Sequence, residues 1–172
     1  TYALFAKESP SLELYLKCIN DVRKRKLLSR FRMGVLSLRV ESGRYEASGV
    51  VNRRGLPIEY RICKCCDKGK VEDEIHFLLE CPLYDEIRQM FVDTCNLRLS
   101  KSLNIIYMNG EIYARPIVNK RVCMERMTIE DLFKTLMGIQ VKDVLNALAS
   151  FVFQAYQIRL KLIIKSHRII IS

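Results

Sequence analysis

Apolar residues recur along this chain with a helical period wherever the pattern is long enough to read. Leu12, Tyr15, Leu16 and Ile19 fall at i, i+3, i+4 and i+7, one stripe of a helix that Ser9-Pro10 can open. Asn20-Asp21 can cap a second helix running to about Met33. Its apolar positions include Val22, Leu27, Leu28 and Phe31, and the other side carries Arg23, Lys24, Arg25, Lys26, Arg30 and Arg32. Ser42-Gly43-Arg44 and Ser48-Gly49 are turn signals, and Gly55-Leu56-Pro57 breaks any helix between them and the cysteines. Residues 44–62 therefore read as irregular chain with short extended pieces, the best being Ile58–Ile62.

Downstream, Glu72 to Glu80 reads as a short helix whose first turn holds Glu72, Asp73 and Glu74, acids that suit the positive end of the helix dipole. Pro82 opens a further helix over roughly 82–94, with Leu83, Ile87, Met90 and Phe91 as its apolar face. Periodicity fades over 96–127, where Asn109-Gly110 between Ile105–Met108 and Glu111–Tyr113 signals a hairpin. Thr128 with Asp131 caps a helix to about Met137, and a last long helix begins near Val141, with Val144, Leu145, Leu148, Val152 and Ala155 on one face. The expectation is a mostly α, small helical domain with short irregular or extended segments. It divides into a basic helical arm (1–40), a cysteine-rich module (41–95) and a C-terminal helical region (96–172).

Composition adds size and charge to this picture. With 172 residues, 49% hydrophobic content, four prolines and seven glycines, the chain can bury a core and is not a disordered tail. The uncharged stretch Val144–Ile158 contains Asn146, Gln154 and Gln157 and reads as too short and polar to span a bilayer, so no membrane partner is expected. Thr1–Lys7 has no signal-peptide character, and a chain opening on threonine is expected to be part of something longer. The formal charge of +10 is unevenly spread. Residues 1–70 carry 16 Lys/Arg against 7 Asp/Glu (+9), residues 71–100 carry 2 against 7 (−5), and residues 101–172 carry 11 against 5 (+6). Two basic segments flanking an acidic middle fit a polyanionic partner.

The cysteines carry the most specific chemistry. Four of the seven fall in one short window with a histidine, and seven is an odd number, so the arrangement points to a metal in a reducing compartment and not to a secreted disulfide framework. Cys63, Cys66, His76 and Cys81 follow the spacing C-x2-C-x9-H-x4-C, three thiols and an imidazole. That is the donor set of a closed, four-coordinate structural Zn²⁺ site, a CCHC knot. Cys65 fits the spacing less well and reads as a bystander. A redox Cys-x-x-Cys is the sharper alternative, but no βαβ pattern surrounds it. Three thiolates with one Zn²⁺ leave a net −1 that Arg61, Lys64 and Lys68 can offset.

The second helix places six cations within ten residues, and Arg44 and Tyr45 follow. Such density suits phosphate, and aromatic residues between cations suit unpaired nucleic acid. Candidate contacts are Arg23, Lys24, Arg25, Lys26, Arg30, Arg32, Arg44, Tyr45, Arg61, Lys64 and Lys68; a plain solvated helix face is the alternative. No Gly-rich phosphate loop, G-x-S-x-G or HExxH occurs, and catalytic residues are not expected.

Taken together, Arg61-x-Cys63-x2-Cys66, Glu72-Asp73-Glu74-x-His76-Phe77-Leu78 and Cys81-Pro82-x-Tyr84 resemble the zinc-binding domain near the C-terminus of non-LTR (LINE-type) retrotransposon reverse transcriptases. Phe31-Arg32 and Val40–Tyr45 are similar to the segment preceding that domain, and Phe151–Arg159 to a helix that closes it; the resemblance is close over roughly 28–90. It implies Cys63, Cys66, His76 and Cys81 as zinc ligands. It also implies a parent polyprotein that is an RNA-directed DNA polymerase, whose reverse transcriptase domain is a partner. The implied role is holding template RNA or target DNA during target-primed reverse transcription, in the nucleus or a cytoplasmic ribonucleoprotein, without enzymatic activity of its own. The rival reading is a structural domain that docks on the polymerase core or on a second copy, and a weaker one is a nuclease.

Overall fold

The computed structural model describes residues 13–46 and 55–169, with side chains to residue 164. The Ser9-Pro10 helix start, Leu12 and the Ser48-Gly49 turn lie outside them. The described fold is mostly helical with a small three-stranded sheet and irregular segments, as the periodicity implies. Helices α1 (Leu14–Cys18), α2 (Val22–Arg32), α3 (Arg39–Ser42), α4 (Asp85–Leu99), α5 (Ile129–Gly138) and α6 (Lys142–Ile169) enclose one hydrophobic core.

Helix α2 begins where Asp21 accepts hydrogen bonds from the backbone N–H groups of Arg23 and Lys24, at 2.8 and 3.2 Å, a side-chain N-cap. Helix α6 is the axis of the core. Its buried stripe, Val144, Leu145, Leu148, Val152 and Ala155 with Phe151 alongside, packs against α1, α2 and α4. From Lys142 to Ile164 this helix is, by length and composition alone, long and apolar enough to cross a membrane, more so than its uncharged stretch implies. In this fold the apolar stripe is core.

Aromatic rings join the parts of the chain that hold the cysteine window. Phe77 lies 5.7 Å from Phe31 of α2, 4.9 Å from Tyr84 and 6.0 Å from Phe151 of α6, and Phe31 lies 6.2 Å from Phe133 of α5. Edge and tilted contacts at these distances add to what their burial contributes. Because Phe77 follows His76 directly, the core fixes the position of a predicted ligand.

The hairpin signal is correct and understates the sheet. Strand β1 (Leu103–Met108) pairs antiparallel with β2 (Glu111–Val118), Met108 opposite Glu111, around Asn109 and Gly110 at φ 53° and 75°. These are the left-handed conformations of a tight hairpin turn. A two-residue β3 (Arg121–Val122) follows a second turn at Asn119-Lys120. The other edge of β1 is met by Asn96 of α4, whose side chain donates to Ile105 O (2.6 Å) and accepts from Ile105 N (2.9 Å).

Three local expectations need correction. Ile58–Tyr60 is a 3₁₀ turn after Pro57, not a strand, and Ile62 pairs singly with Val71. The chain at Glu72 is extended, and helical structure starts at Glu74 and widens into a π turn over His76–Glu80. Pro82–Tyr84 is likewise a 3₁₀ turn that leads into α4, which runs to Leu99. Glu72 is consequently no N-terminal helix acid. Buried, it accepts Arg159 of α6 through two bonds of 2.7 and 2.8 Å, and the backbone N–H of Arg39 at 2.8 Å.

Removing one partner of a buried pair costs more than the pair contributes, because the other charge is stranded. Arg159→Met is expected to lower unfolding free energy by about 3–5 kcal/mol in urea titration. Lys161→Met, on the exposed side of the same helix, is expected to change it by less than about 0.5 kcal/mol.

Candidate metal centre

Residues 61–72 form a short tongue. Glu72 N donates to Arg61 O (3.0 Å) and Cys63 N to Lys70 O (2.8 Å), so the chain leaves and returns antiparallel around a loop containing Gly69 at φ 63°. Cys63 sits at the last rung and Cys66 in the loop. The backbone N–H of Cys65 points at Cys63 Sγ, 3.4 Å away, a donor that suits a thiolate. Lys64 and Lys68 extend outward from the same loop.

The second pair of donors depends on the π turn. In an α-helix, residues five apart point about 140° away from each other. Here Cys81 N donates to His76 O at 2.8 Å, an i→i+5 closure that brings the two residues back over one another. Asp73 Oδ1 accepts from His76 N at 2.8 Å, so this acid sits just ahead of the helix and caps its start, not inside a first turn as the sequence implies. Glu74 is buried, its Oε1 lacks a hydrogen-bond partner, and burial raises its pKa. The far end of the turn is held by Arg88 of α4. Fully buried, it donates to Leu78 O (2.8 Å), Cys81 O (2.6 Å), Asp85 Oδ1 (2.5 Å) and Tyr107 OH (3.1 Å). It thereby satisfies carbonyls that a helix end would otherwise leave open.

The result is a tetrad. The sulfurs of Cys63, Cys66 and Cys81 and a ring nitrogen of His76 all lie within 4.8 Å of one another, and Cys66 Sγ is 3.4 Å from His76 Nε2. Bonds of about 2.0–2.3 Å in a tetrahedron separate neighbouring donors by roughly 3.5–3.8 Å, so these four can hold a metal ion. Cys63, His76 and Cys81 are buried and Cys66 is half-buried. A second trio, Cys63, Cys65 and Glu72, is also close, but Glu72 is already committed to Arg39 and Arg159. All seven cysteines are free, and burial pushes the Cys95 thiol, in the core, up to about 12.

Cys63, His76, Glu80 and Cys81 shift one another's protonation. Hydrogen bonds from Cys65 and Cys81 lower the Cys63 pKa, while proximity to that thiolate, reinforced by burial, raises Cys81. Burial opposes charge on His76, but Cys63 and Glu80 outweigh it and bring its pKa to about 10. Glu80 is the partner that the sequence reading missed, although it lies four residues after His76 on one turn. Its Oε2 is 3.5 Å from the buried, otherwise unpartnered His76 Nδ1, and its Oε1 accepts Lys70 Nζ at 2.7 Å. His76, burial notwithstanding, together with Lys70 sets the Glu80 pKa at about 2. The ionised carboxylate is placed to orient the ring so that Nε2 faces the sulfurs, as outer partners of metal-bound histidines do.

The predicted phosphate contacts separate into two groups. Arg32 is buried, donating to Met137 O (2.6 Å), pairing with Glu13 (3.4 Å) and lying over Tyr15. Arg61 donates to Val40 O (2.6 Å) and Leu56 O (2.8 and 2.7 Å). These two are fold anchors and not open phosphate sites, a correction that i, i+4 spacing from the buried Leu28 makes legible for Arg32. Lys24 and Arg25 are half-committed, to Ser150 Oγ (3.0 Å) and Ile19 O (2.8 Å). Arg30 is half-buried. Arg23, Lys26, Arg44, Tyr45, Lys64 and Lys68 face outward.

Compared with known proteins, the chain matches no family model, no curated protein and no solved structure. The resemblance drawn from its motifs therefore rests on these residues.

Glu80→Gln, which keeps the shape but loses the charge, is expected to weaken metal affinity about 10- to 100-fold in a chelator competition while leaving stoichiometry unchanged. Because His76 and Cys81 bind protons above neutral pH in the metal-free site, affinity is expected to rise with pH between 6 and 9. The slope should be about tenfold per pH unit for each proton displaced; a flat profile would mean that these groups do not ligate.

Proposed function

We propose that this chain is a zinc-stapled nucleic-acid-holding module, of the kind found near the C-terminus of non-LTR retrotransposon reverse transcriptases, and not an enzyme by itself. The observation that carries this reading is the tetrad: three sulfurs and one imidazole, buried and convergent, in a chain of net charge +10. That donor set favours zinc in a closed site over a hard cation, which takes oxygen ligands. When bound, the ion would fasten the tongue to the π turn, and its role would be structural.

Support for nucleic acid comes from charge and exposure. Lys64 and Lys68 stand outward on the tongue itself, Arg44 lies on the preceding segment, and Arg23 and Lys26 are exposed on α2. In this reading they meet template RNA or target DNA while the parent polymerase acts, in a nuclear or cytoplasmic ribonucleoprotein.

A specific surface also favours the rival reading of a docking domain. Helix α4 exposes Met90 (66%) and Leu97 (71%), seven residues apart on one face. Met90 also lines a shallow groove of about 140 Å³ whose walls include Ile87, Phe91, Ala147 and Phe151 with Thr94, Ser150 and Gln154.

Affinity for RNA or DNA is expected to fall linearly in log–log form with salt. Combined reversal of Arg23, Lys26, Lys64 and Lys68 to glutamate should reduce the slope by roughly 0.7 to 0.9 for each phosphate that is no longer neutralised, measured by fluorescence anisotropy. Undetectable or salt-independent binding would leave docking as the better reading, and Met90→Asp would then abolish capture of the polymerase core.

A further inference from the structure

Segments 40–46 and 55–61 run side by side ahead of the metal tongue. Leu56 N donates to Gly43 O at 2.7 Å, and the Arg61 guanidinium clasps Val40 O from one segment and Leu56 O from the other. The approach leaves no room for side chains at the seam: a Cβ at Gly43 would lie 2.7 Å from Arg61 Cγ, and one at Gly55 only 2.4 Å from Arg44 O. The two segments form a closely packed ledge, and both carry exposed apolar or aromatic residues. Tyr45 is 80% exposed, Tyr60 is 65% exposed, and Ile58 is 57% exposed.

Charged groups of both signs lie on the same segments, and the Tyr45 OH donates to Glu41 Oε1 at 3.4 Å. The Arg44 side chain is 60% exposed while its Nε contacts Glu41 at 3.1 Å. Arg39 binds Glu46 through both carboxylate oxygens, and Lys64 lies near enough to add to its field. Glu41 and Glu46 are thus offset by local arginines, and Glu59 is the acid left outward on the 3₁₀ turn. Two exposed phenol rings, on segments that carry Arg44 and lead to Lys64, differ from the aliphatic Met90–Leu97 surface that suits a protein partner.

Resting on the nucleic-acid reading above, we propose that this ledge takes unpaired nucleotides of a single strand, their bases stacking on Tyr45 and Tyr60 and their phosphates meeting Arg44 and Lys64. Stacking needs an open base face, which a duplex does not present along its length. A ledge built for duplex backbone would need cations but no exposed rings.

The test uses the whole zinc-loaded chain with fluorescein-labelled single-stranded oligouridine of about 12 nucleotides and a duplex of equal length. Tyr45→Ala and Tyr60→Ala should each weaken single-strand binding by about 5- to 150-fold, the range for removing one stacked base. Tyr45→Phe and Tyr60→Phe should retain it, duplex affinity should stay unchanged, and the salt slope of every variant should match the parent. Equal single-strand binding by parent and alanine variants would overturn the ledge while leaving nucleic-acid binding intact. An equal loss on duplex would also overturn it, since the rings would then not discriminate open bases. No binding by the parent chain to either probe would overturn both this inference and the function it rests on.

Discussion

Four soft donors must come together from two short stretches of chain, and the local structure follows from that requirement. Cys63 and Cys66 arrive on a tongue held by backbone pairing, and His76 and Cys81 arrive on a turn wide enough to stack residues five apart. An ordinary α-helical turn would direct the two residues away from each other. The π turn is a departure from regular geometry of the kind that concentrates at functional sites, and Asp73 at its start and Arg88 at its end hold it in place.

The rest of the fold holds these two stretches from behind. Phe77 leaves the turn for an aromatic cluster shared with α2, Tyr84 and α6, so movement of His76 would disturb packing across the core. Glu72, at the base of the tongue, joins α3 through Arg39 N and α6 through Arg159. A buried carboxylate paired this way is a poor source of net stability but a strong selector of geometry in some proteins. Here it ties the returning arm of the tongue to the central helix. The tetrad is thus continuous with the core, and the cations that remain outside are carried on the frame around it.

Much of this was legible in the sequence. The ligand spacing identified the tetrad, because donor type and distance along the chain constrain a metal site strongly. Helical periodicity located α2, α5 and α6, and Asn109-Gly110 located the hairpin, since each depends on short-range stereochemistry. What was not legible depended on long-range contacts. Nothing near Glu72 reveals that Arg159, 87 residues away, will neutralise it. The run of cations on α2 reads as one face, yet Arg32 turns inward because α5 offers it a carbonyl. Ile58–Ile62 has strand-like residues, but Pro57 and the demands of Arg61 coil it into a 3₁₀ turn. Glu80 had a local signal in its spacing from His76; only the direction of the imidazole showed what that spacing was for.

If the tetrad holds zinc, as proposed, the module works by geometry. In the proposed role it positions cations and aromatic rings, so the account depends on the metal being bound by the four residues named. Zinc K-edge X-ray absorption on the purified chain measures that most directly. The account predicts one zinc per chain with three sulfur neighbours at about 2.3 Å and one nitrogen at about 2.0 Å. Absence of zinc, oxygen neighbours in place of sulfur, or a four-sulfur shell in which Cys65 displaces His76 would contradict it.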